Sequence, residues 1–257
     1  MNKTPSNLVK AVDRSINILE ELANHQDGLG VTALANRLDI HKSSVHRLLS
    51  TLVYRGLVKQ DSKTDNYKLG LKLFELGSRI FNELEIREYA KPYLEELVAE
   101  TDEAVHLVIM DQGEIVYIDK VESSKAIRMN SQIGKRVPVH CSAVGKAMLA
   151  YYPELKVDQI IKEQGLAKYT ENTITDASEF KEHLKQVKEQ GYAIDDVEHE
   201  LGIRCVAAPI FDYSGEVVSS VSVSGPTIHV TKQRVEQLAK LVKDTAMKIS
   251  SQLGYRG

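Results

Sequence analysis

Two short helical patterns joined by a turn of only two residues constrain the fold of this chain more than any other feature of its sequence. The first runs from Thr32, which is expected to cap it, to Leu38. After Asp39 and Ile40, the second runs over 41–54. So close a pair of helices is typical of a helix-turn-helix motif. The apolar positions at helical spacing are Leu34, Ala35 and Leu38, then Val45, Leu48, Leu49 and Leu52; an earlier helix is predicted from Val9, Val12, Ile16, Leu19 and Leu22.

The polar face of the second helix of the pair is basic and rich in short hydrogen-bonding side chains. In a helix-turn-helix motif, the N-terminal half of this helix enters the major groove of DNA. Arg and Lys can bind guanine edges or phosphates there, and Ser and Thr suit phosphate or base contacts. The candidate DNA-binding residues on this helix are Lys42, Ser43, Ser44, His46, Arg47 and Thr51.

A β-hairpin is predicted directly after the helix pair, with strands at 57–60 and 67–69 and a polar connection between them. A hairpin in this position is the wing of a winged helix-turn-helix. Lys59 and Lys63 would lie along the DNA backbone and add salt-dependent affinity with little sequence preference. The alternative is a solvated amphipathic helix beside an ordinary surface hairpin. The complete order of helix pair, basic face and wing favours DNA binding.

The charge is divided unevenly along the chain. Residues 1–70 hold ten Lys and Arg against seven Asp and Glu, and the remaining residues hold 23 against 29. A small basic domain followed by a larger acidic one is compatible with a nucleic-acid binder that carries a sensor. A length of 257 residues also favours two domains, at about 150 residues each.

Composition excludes several other classes of protein. Apolar residues make up 42% and charged residues 27%, as in ordinary globular proteins. No run approaches the roughly 18 apolar residues of a membrane span, and the N-terminus lacks the apolar segment of a signal peptide. We therefore predict a cytoplasmic protein with no membrane contact. Cys141 and Cys205 form no CxxC pair, so we predict no metal and no cofactor.

A third apolar helical pattern, the linker helix at 71–87, leads out of the wing. It is apolar over more than one face, which is more than one small domain can cover. The helix either packs between the two domains or pairs with its copy. Because helix-turn-helix proteins commonly read two half-sites as symmetric dimers, we predict a homodimer. The apolar residues of the pattern are Leu71, Leu73, Phe74, Leu76, Ile80, Phe81 and Leu84.

The remaining residues, 88–257, mix predicted strands and helices. This order indicates an α/β domain with a mostly antiparallel sheet, and the whole chain is assigned to the α+β class, with a winged helix-turn-helix over 1–70. The predicted strands are 104–110, 114–121, 126–133, 192–197, 205–211 and 217–224, and the predicted helices are 88–100, 143–151, 155–163, 177–190 and 231–253.

Three places in this domain have the chemistry of a single binding site. Ser142 is a candidate helix cap, and the following N–H groups, at Ala143 and Val144, would hold a carboxylate. Asp195 and Cys205 lie on neighbouring predicted strands. A face of small hydroxyl groups either packs closely under a helix or lines a polar cavity. Strand alternation gives such a face at Ser220, Ser222 and Ser224.

One C-terminal pattern has the form Gly-x3-Asp-x2-Glu-x6-Cys-aliphatic-small-x2-aliphatic-aromatic-Asp. Its residues are Gly191, Asp195, Glu198, Cys205, Val206, Ala207, Ile210, Phe211 and Asp212. This is the strongest motif of the IclR family of bacterial transcription regulators, which the chain resembles from about Leu8 to Gly254. The segment 41–49 resembles the recognition helix of that family, with His41 where proline is common.

The resemblance implies a winged helix-turn-helix joined to a GAF-like effector domain, with the protein a dimer or a dimer of dimers on double-stranded operator DNA. It also implies a small organic acid as effector, and repression as the expected mode. The segments 127–129, 134–138 and 248–255 resemble the branch that represses 2-keto-3-deoxygluconate catabolism. Carried over to this chain, the effector pocket is lined by Met129, Val137, Ala143, Val144, Asp195, Cys205, Ser222 and Ser224.

Three alternatives stay open at this point. An enzyme that processes a small acid would use Cys141 or Cys205 as a nucleophile with His140, His199 or Asp195. A metal-binding GAF-like sensor would use the same residue types as ligands. A GAF-like interaction module would bind no DNA. The spacings match no nucleophile or metal motif, and an isolated cysteine is more often a small buried apolar residue, so no catalytic residue is predicted.

Overall fold

The structure, a computed structural model, describes residues 8–83, 85–125 and 131–256, without the side chains of 78–83. The chain divides into two compact units, of which the first ends at Leu84 and the second begins at Glu85. Among the described residues, no helix combines the length and the apolar character needed to cross a bilayer.

The first unit is a winged helix-turn-helix. Its small core is formed by apolar residues of three helices and of the hairpin, among them Ile18, Leu34, Leu49 and Tyr67. The predicted order of elements is confirmed. The elements are α1 (Lys10–Ala23), α2 (Val31–Leu38), α3 (Lys42–Tyr54), β1 (Val58–Gln60), β2 (Tyr67–Leu69) and α4 (Leu71–Glu83).

The turn between α2 and α3 is as short as its sequence predicts. Asp39 adopts a left-handed conformation, with a φ of 51°, and the N–H of Ile40 donates to the carbonyl of Ala35. The start of α2 differs from the prediction. The helix begins at Val31 and its N-cap residue is Gly30, which contributes no side-chain hydrogen bond. Thr32 therefore lies inside the first turn and is not the cap.

The described residues of the second unit, from Glu85 onward, form a six-stranded sheet with the order β5-β4-β3-β8-β7-β6. Every pair of neighbouring strands is antiparallel, which confirms the predicted sheet type. The strands are β3 (Ala104–Asp111), β4 (Glu114–Val121), β5 (Arg136–Pro138), β6 (Ala193–Asp196), β7 (Ile203–Phe211) and β8 (Val217–Pro226), and the helices are α5 (Glu85–Thr101), α6 (Ala143–Leu149), α7 (Glu154–Gln164), α8 (Ala177–Gln190) and α9 (Val235–Gln252).

Helices cover both faces of this sheet. On one face, Val108, Val137 and Ala207 share a core with α6, α7 and α8. The helices α5 and α9 contact each other and the strands β3, β4, β7 and β8. The buried strand residues that alternate with the first set, such as Val206 and Val223, belong to the face that these two helices cover.

The predicted strand at 126–133 is wrong in its described part. Residues 126–130 lie outside the described residues, and 131–133 form no strand. The edge strand is β5 instead, in which Val137 pairs with Ile115. Gly134 has a φ of 85°, so the chain turns there before it joins the sheet.

Candidate functional site

The helix α3 exposes its basic face. Lys42, His46 and Arg47 are exposed, whereas Val45 and Leu49 of the same helix are buried in the core of the first unit. Among the described residues, neither Lys42 nor Arg47 forms an ion pair with an acidic side chain. Both cations are therefore available to phosphate oxygens or base edges.

The hydroxyl groups of α3 are not equivalent. Ser43 and Ser44 lie in the first turn, the end of the helix that enters the major groove in this motif. Thr51 lies near the other end, and its Oγ1 donates to the carbonyl of Arg47 at 3.2 Å. A phosphate oxygen can only accept, so Thr51 contacts a phosphate through its hydroxyl only after it releases this bond.

A shallow groove between α1 and α3 contains two cations that the sequence analysis did not select. Lys10 and Arg14 of α1 line it together with Ser44 and Arg47 of α3. Lys10 and Arg14 are four residues apart, which places them on one side of the helix. Two basic residues at this spacing on the polar side of α1 were the sequence signal that could have identified them as candidate DNA-binding residues. The basic surface of the first unit thus extends beyond α3.

The wing presents a second basic strip. Lys59 and Lys63 are exposed, and Lys59 lies directly opposite Lys68 in the pairing of β1 with β2. Like charges in opposite positions repel each other, and a nearby anion relieves that repulsion. The carboxylate of Asp61 accepts hydrogen bonds from the N–H groups of Lys63 and Thr64, which lower the pKa of Asp61 and hold the turn of the wing.

The second unit contains a cavity between the sheet and the N-terminal end of α6. The empty volume of the cavity is about 540 Å³, and part of this volume is open to solvent. Of the eight residues expected to line an effector pocket, seven line this cavity, and Met129 lies outside the described residues. The seven are Val137, Ala143, Val144, Asp195, Cys205, Ser222 and Ser224.

The floor of the cavity is one face of the sheet. Cys205 pairs directly with Asp195 on one side and with Ser224 on the other, and residues paired in this way point to the same face. Ser222 lies two residues before Ser224 on the same strand. Ser220 shares this face, but its Oγ donates to the carbonyl of Ala208 at 2.9 Å, and it does not line the cavity. Of the three serines, two contribute to the cavity.

The roof of the cavity begins at the first turn of α6. Ser142 caps this helix as predicted, because its Oγ accepts a hydrogen bond from the N–H of Gly145 at 3.2 Å. The same Oγ donates to the carbonyl of Pro138 at 2.8 Å. Gly145 lies against the backbone of Val139, where no side chain fits. These contacts fix Ala143 and Val144 over the sheet.

Asp195 is the buried carboxyl group of the cavity. Its Oδ1 accepts hydrogen bonds from the N–H groups of Glu198, at 2.7 Å, and His199, at 3.4 Å. Burial raises the pKa of Asp195 to about 7, although the hydrogen bond from Glu198 acts in the opposite direction. Near neutral pH the group is therefore present in both protonation states. The protonated form can donate to an anion, which the ionised form repels.

The loop after β6 is strained and is held from two sides. Val197 has a φ of 63°, a conformation that β-branched residues rarely adopt. Thr170 and Thr173 donate to the carbonyl groups of Val197 and Glu198, at 2.6 Å in each case. The side chain of Glu198 forms an ion pair with Lys146 of α6, which is fully buried. Asp195 and Glu198 of the C-terminal motif thus both hold the loop after β6 in place, Asp195 by accepting hydrogen bonds from its N–H groups and Glu198 by its ion pair with Lys146.

Several polar side chains of the cavity were missed as ligand-binding candidates. Tyr117 lies on β4, and strand alternation was the signal that could have found it. Lys135 follows Gly134 in the loop before β5, and it supplies a cation beside the cavity. His199 was considered only for an enzyme or a metal site. The residues missed in the ligand-binding set are Tyr117, Ser131, Lys135, Ser142, His199, Glu200 and Ile203.

The geometry gives no support to the enzyme and metal alternatives. Burial raises the pKa of Cys141 to about 12 and raises the pKa of the Cys205 thiol well above its usual value, so neither is a thiolate at neutral pH. Nε2 of His140 forms its hydrogen bond with the carbonyl of Ala167, at 2.9 Å. Across the described ranges, no three His, Cys, Asp or Glu side chains form a group that could hold a metal ion.

Sequence profiles of two domains match the chain. The IclR helix-turn-helix domain matches residues 11–62, and the C-terminal domain of bacterial transcriptional regulator IclR matches residues 78–251. The HTH-type transcriptional regulator KdgR of Escherichia coli is 37% identical over 99% of this chain and 96% of its own length. KdgR of Dickeya chrysanthemi is 36% identical over 99% of this chain and 83% of its own length. These similarities support the branch that the sequence resembles.

A solved structure gives the same result for the fold. The IclR protein of Thermotoga maritima superposes with a TM-score of 0.82 and 33% identity, covering 96% of this chain and 100% of its own. Both matched domains and both compared KdgR proteins are transcription regulators, so the protein is a DNA-binding regulator and not an enzyme. The chain belongs to the IclR family of bacterial transcription regulators.

Proposed function

We propose that this regulator is a repressor whose binding to operator DNA is modulated by a small organic acid in the cavity of the second unit. The proposed acid is a 2-keto sugar acid such as 2-keto-3-deoxygluconate. The observation that carries the proposal is the cavity itself, which joins a hydroxyl-lined floor to a cationic wall at Lys135. A buried polar site of this kind fits a ligand with both a carboxylate and hydroxyl groups.

Each part of such a ligand has a partner in the cavity. The first N–H groups of a helix have no acceptor within it, so those of Ala143 and Val144 can donate to the carboxylate together with Lys135. Ser222 and Ser224 suit a carbonyl or hydroxyl oxygen. Asp195 donates when protonated and accepts from a hydroxyl group when ionised. The proposed ligand-binding set keeps Met129, Val137 and Cys205 with these residues.

The first unit provides the proposed DNA contacts. In a dimer on a near-palindromic operator, the two α3 helices enter successive major grooves and the wings follow the backbone. Arg47 and Lys42 are the principal contacts to bases or phosphates, and the wing lysines bind phosphates. The full proposed set is Lys42, Ser43, Ser44, His46, Arg47, Thr51, Lys59 and Lys63.

A second copy of the chain is the proposed partner of an exposed apolar surface in the first unit. On α4, Leu71 is 82% exposed and Phe74 is 75% exposed. On α1, Val12 and Ile16 are exposed as well, and so is Val9 directly before the helix. Soluble proteins rarely leave large apolar patches uncovered, and symmetric DNA-binding proteins can cover them by dimerisation. Light scattering on the purified protein distinguishes a monomer, a dimer and a dimer of dimers.

Ligand binding and DNA binding are coupled in this proposal through the linker helix, because α4 leads from the wing toward the second unit along the chain. Coupling free energies between two sites are typically about 1–3 kcal/mol, which changes occupancy about 5-fold to 150-fold. The three-part division at 1–70, 71–87 and 88–257 is kept as part of the proposal. The site of action is the cytoplasm, where bacterial operators are.

Fluorescence anisotropy tests the proposal directly. The full chain is titrated onto its own upstream DNA and onto scrambled DNA over a range of salt concentrations, and then 2-keto-3-deoxygluconate, pyruvate or glyoxylate is added. Specific binding that 2-keto-3-deoxygluconate changes supports the proposal. Specific binding that none of these acids changes rejects the proposed effector. Binding no tighter than to scrambled DNA, followed by failure of a genomic operator selection, rejects the DNA-binding function itself.

A further inference from the structure

A buried histidine, His106, lies next to the cavity wall that is formed by Ser131 and Tyr117. His106 lies on β3, is 1% exposed and pairs with Ser222 of the cavity floor, so both side chains point to the same face of the sheet. Nε2 of His106 lies 2.7 Å from Oγ of Ser131. Its ring centroid lies 5.0 Å from that of Tyr117. Ser131 and Tyr117 both line the cavity, and His106 contacts both of them.

The imidazole ring of His106 is only half satisfied. Burial and the nearby charge of Lys120 lower its pKa to about 3, so the ring is neutral at physiological pH and has one donor and one acceptor nitrogen. Nε2 has Ser131 as its partner, whereas Nδ1 is buried without a partner among the described residues. An unsatisfied buried nitrogen destabilises a folded protein, and a phenyl ring of similar shape would avoid this cost. A polar ring at this position therefore needs a reason other than packing.

The hydrogen bond with His106 fixes the orientation of the Ser131 hydroxyl group. The backbone carbonyl of Ser131 also accepts a hydrogen bond from Nζ of Lys120 at 2.9 Å. With its main chain and its side chain both held, Ser131 presents a fixed oxygen at the cavity wall. In the tautomer in which Nε2 of His106 accepts the hydroxyl proton of Ser131, the Ser131 oxygen has only lone pairs to offer. It then favours a ligand hydroxyl, which can donate, over a carboxylate, which cannot.

We propose that His106 is a positioning residue for ligand specificity: it orients Ser131 so that the wall formed by Ser131 and Tyr117 binds a hydroxyl group on the tail of the effector. The inference rests on the proposed function and deepens it, because it names the part of the acid that this wall recognises. The 2-keto carboxylate end of the ligand is held elsewhere in the cavity. His106 thus acts on the choice between hydroxylated and unsubstituted 2-keto acids.

Isothermal titration calorimetry on the full chain tests the inference with two probes. 2-Keto-3-deoxygluconate has a hydroxylated tail, and pyruvate has the same 2-keto carboxylate without one. The variants are His106→Phe, which keeps an aromatic ring beside Tyr117, and Ser131→Ala, which removes the contact itself. Ser220→Ala is the matched control, because its hydroxyl lies on the same face of the sheet but is bonded to Ala208 and does not line the cavity.

Both His106→Phe and Ser131→Ala should weaken binding of 2-keto-3-deoxygluconate about 10-fold, as expected for one or two lost hydrogen bonds, and leave pyruvate binding unchanged. His106→Asn, which restores a hydrogen-bonding partner for Ser131, should recover part of the loss. The melting temperature of His106→Phe should not fall. A loss shared equally by both acids, or no loss, overturns the inference alone. A wild type that binds only pyruvate rejects the proposed 2-keto sugar acid and the inference with it. A wild type that binds neither acid rejects the proposed effector and the inference with it.

Discussion

Lys146 of α6 and Glu198 of the loop after β6 form an ion pair inside the second unit, with side chains that are 0% and 8% exposed. Burial raises the pKa of Glu198, and the charge of Lys146 acts in the opposite direction. Oε2 of Glu198 is buried without a partner among the described residues. The pair therefore connects the roof of the cavity to the strained loop at its edge.

The Lys146→Met variant should lose about 3–5 kcal/mol of unfolding free energy, because it leaves Glu198 buried without its counter-ion. Urea denaturation followed by circular dichroism measures this loss. The double variant Lys146→Met/Glu198→Gln should recover much of it, since no buried charge then remains unpaired. A double variant no more stable than the single one would show that the pair does not act as a unit.

Binding of an anionic acid should strengthen as the pH falls from 8 to 6. The pKa of Asp195 is raised to about 7, so the protonated form gains in this range and repels a carboxylate less. Burial lowers the pKa values of His140 and His199, so these groups stay neutral over most of it. Calorimetry with pyruvate should show a change of about 5-fold to 10-fold.

The Asp195→Asn variant is the control for this pH dependence. Its side chain does not titrate, so its affinity for pyruvate should stay constant from pH 6 to pH 8. Because the folded-state pKa of Asp195 lies above its unfolded value of 3.8, its contribution to stability is complete below that value and is lost as the pH rises through about 7. Unfolding of Asp195→Asn should accordingly depend less on pH. Equal pH dependence in the two proteins would contradict the assignment.

The Arg47→Ala variant should bind operator DNA more weakly and keep its affinity for the acid. Loss of a base contact by an arginine costs about 1–3 kcal/mol, which is about 5-fold to 150-fold in affinity. Fluorescence anisotropy and calorimetry measure the two affinities. The charge-matched control is Lys240→Ala on α9, where an exposed lysine of the second unit is removed. Equal loss of both affinities in Arg47→Ala would contradict the assignment of DNA binding to the first unit and of acid binding to the second.

The variants Lys59→Ala and Lys63→Ala should weaken binding to all DNA sequences to a similar extent. If each lysine neutralises one phosphate, the slope of log affinity against log salt concentration becomes less negative by about 1 for each variant. Anisotropy titrations on operator and scrambled DNA between low and moderate salt give these slopes. An unchanged slope would remove the wing from the DNA contact surface.

The Gly145→Ala variant should be destabilised by about 3 kcal/mol, because a Cβ at this position meets the backbone of Val139. The matched control is Gly77→Ala in α4, where a Cβ would meet no atom of the described residues within 4 Å and Ala favours the helix. Thermal unfolding compares the two variants. Equal stability of the Gly145→Ala variant and the wild type would show that α6 can move away from Val139.

Local patterns were sufficient to predict the first unit, because its helices and its wing are contiguous in sequence and pack against one another. The sequence also allowed us to predict that Asp195 and Cys205 lie on neighbouring strands, since β6 and β7 follow each other in the chain. The pairing of His106 with Ser222 was not, because β3 and β8 are separated by more than 100 residues. The alternation of apolar and polar residues predicts a strand, but it does not indicate which distant strand will pair with it. The cavity wall around His106 therefore became visible only in the fold.

Solvent exposure on α1 shows a second limit. Its apolar spacing predicts a helix correctly, yet Val12 and Ile16 are exposed while Ile18 and Leu22 are buried. Periodicity reports that a residue belongs to an apolar face but not whether that face is covered within the same chain. Tyr117 and Lys135 were missed for a related reason, because a polar residue beside a cavity has the same sequence signature as one at the surface.

The strand β8 carries the cavity serines and the buried valines at alternate positions. Ser222 and Ser224 point to the cavity, and Val221 and Val223 point to the opposite face of the sheet. Substitutions at one set change the chemistry offered to a ligand, and substitutions at the other change the packing beneath it. Such a strand separates the two requirements, because the side chains that line the cavity can change while those that pack the sheet against its helices stay the same.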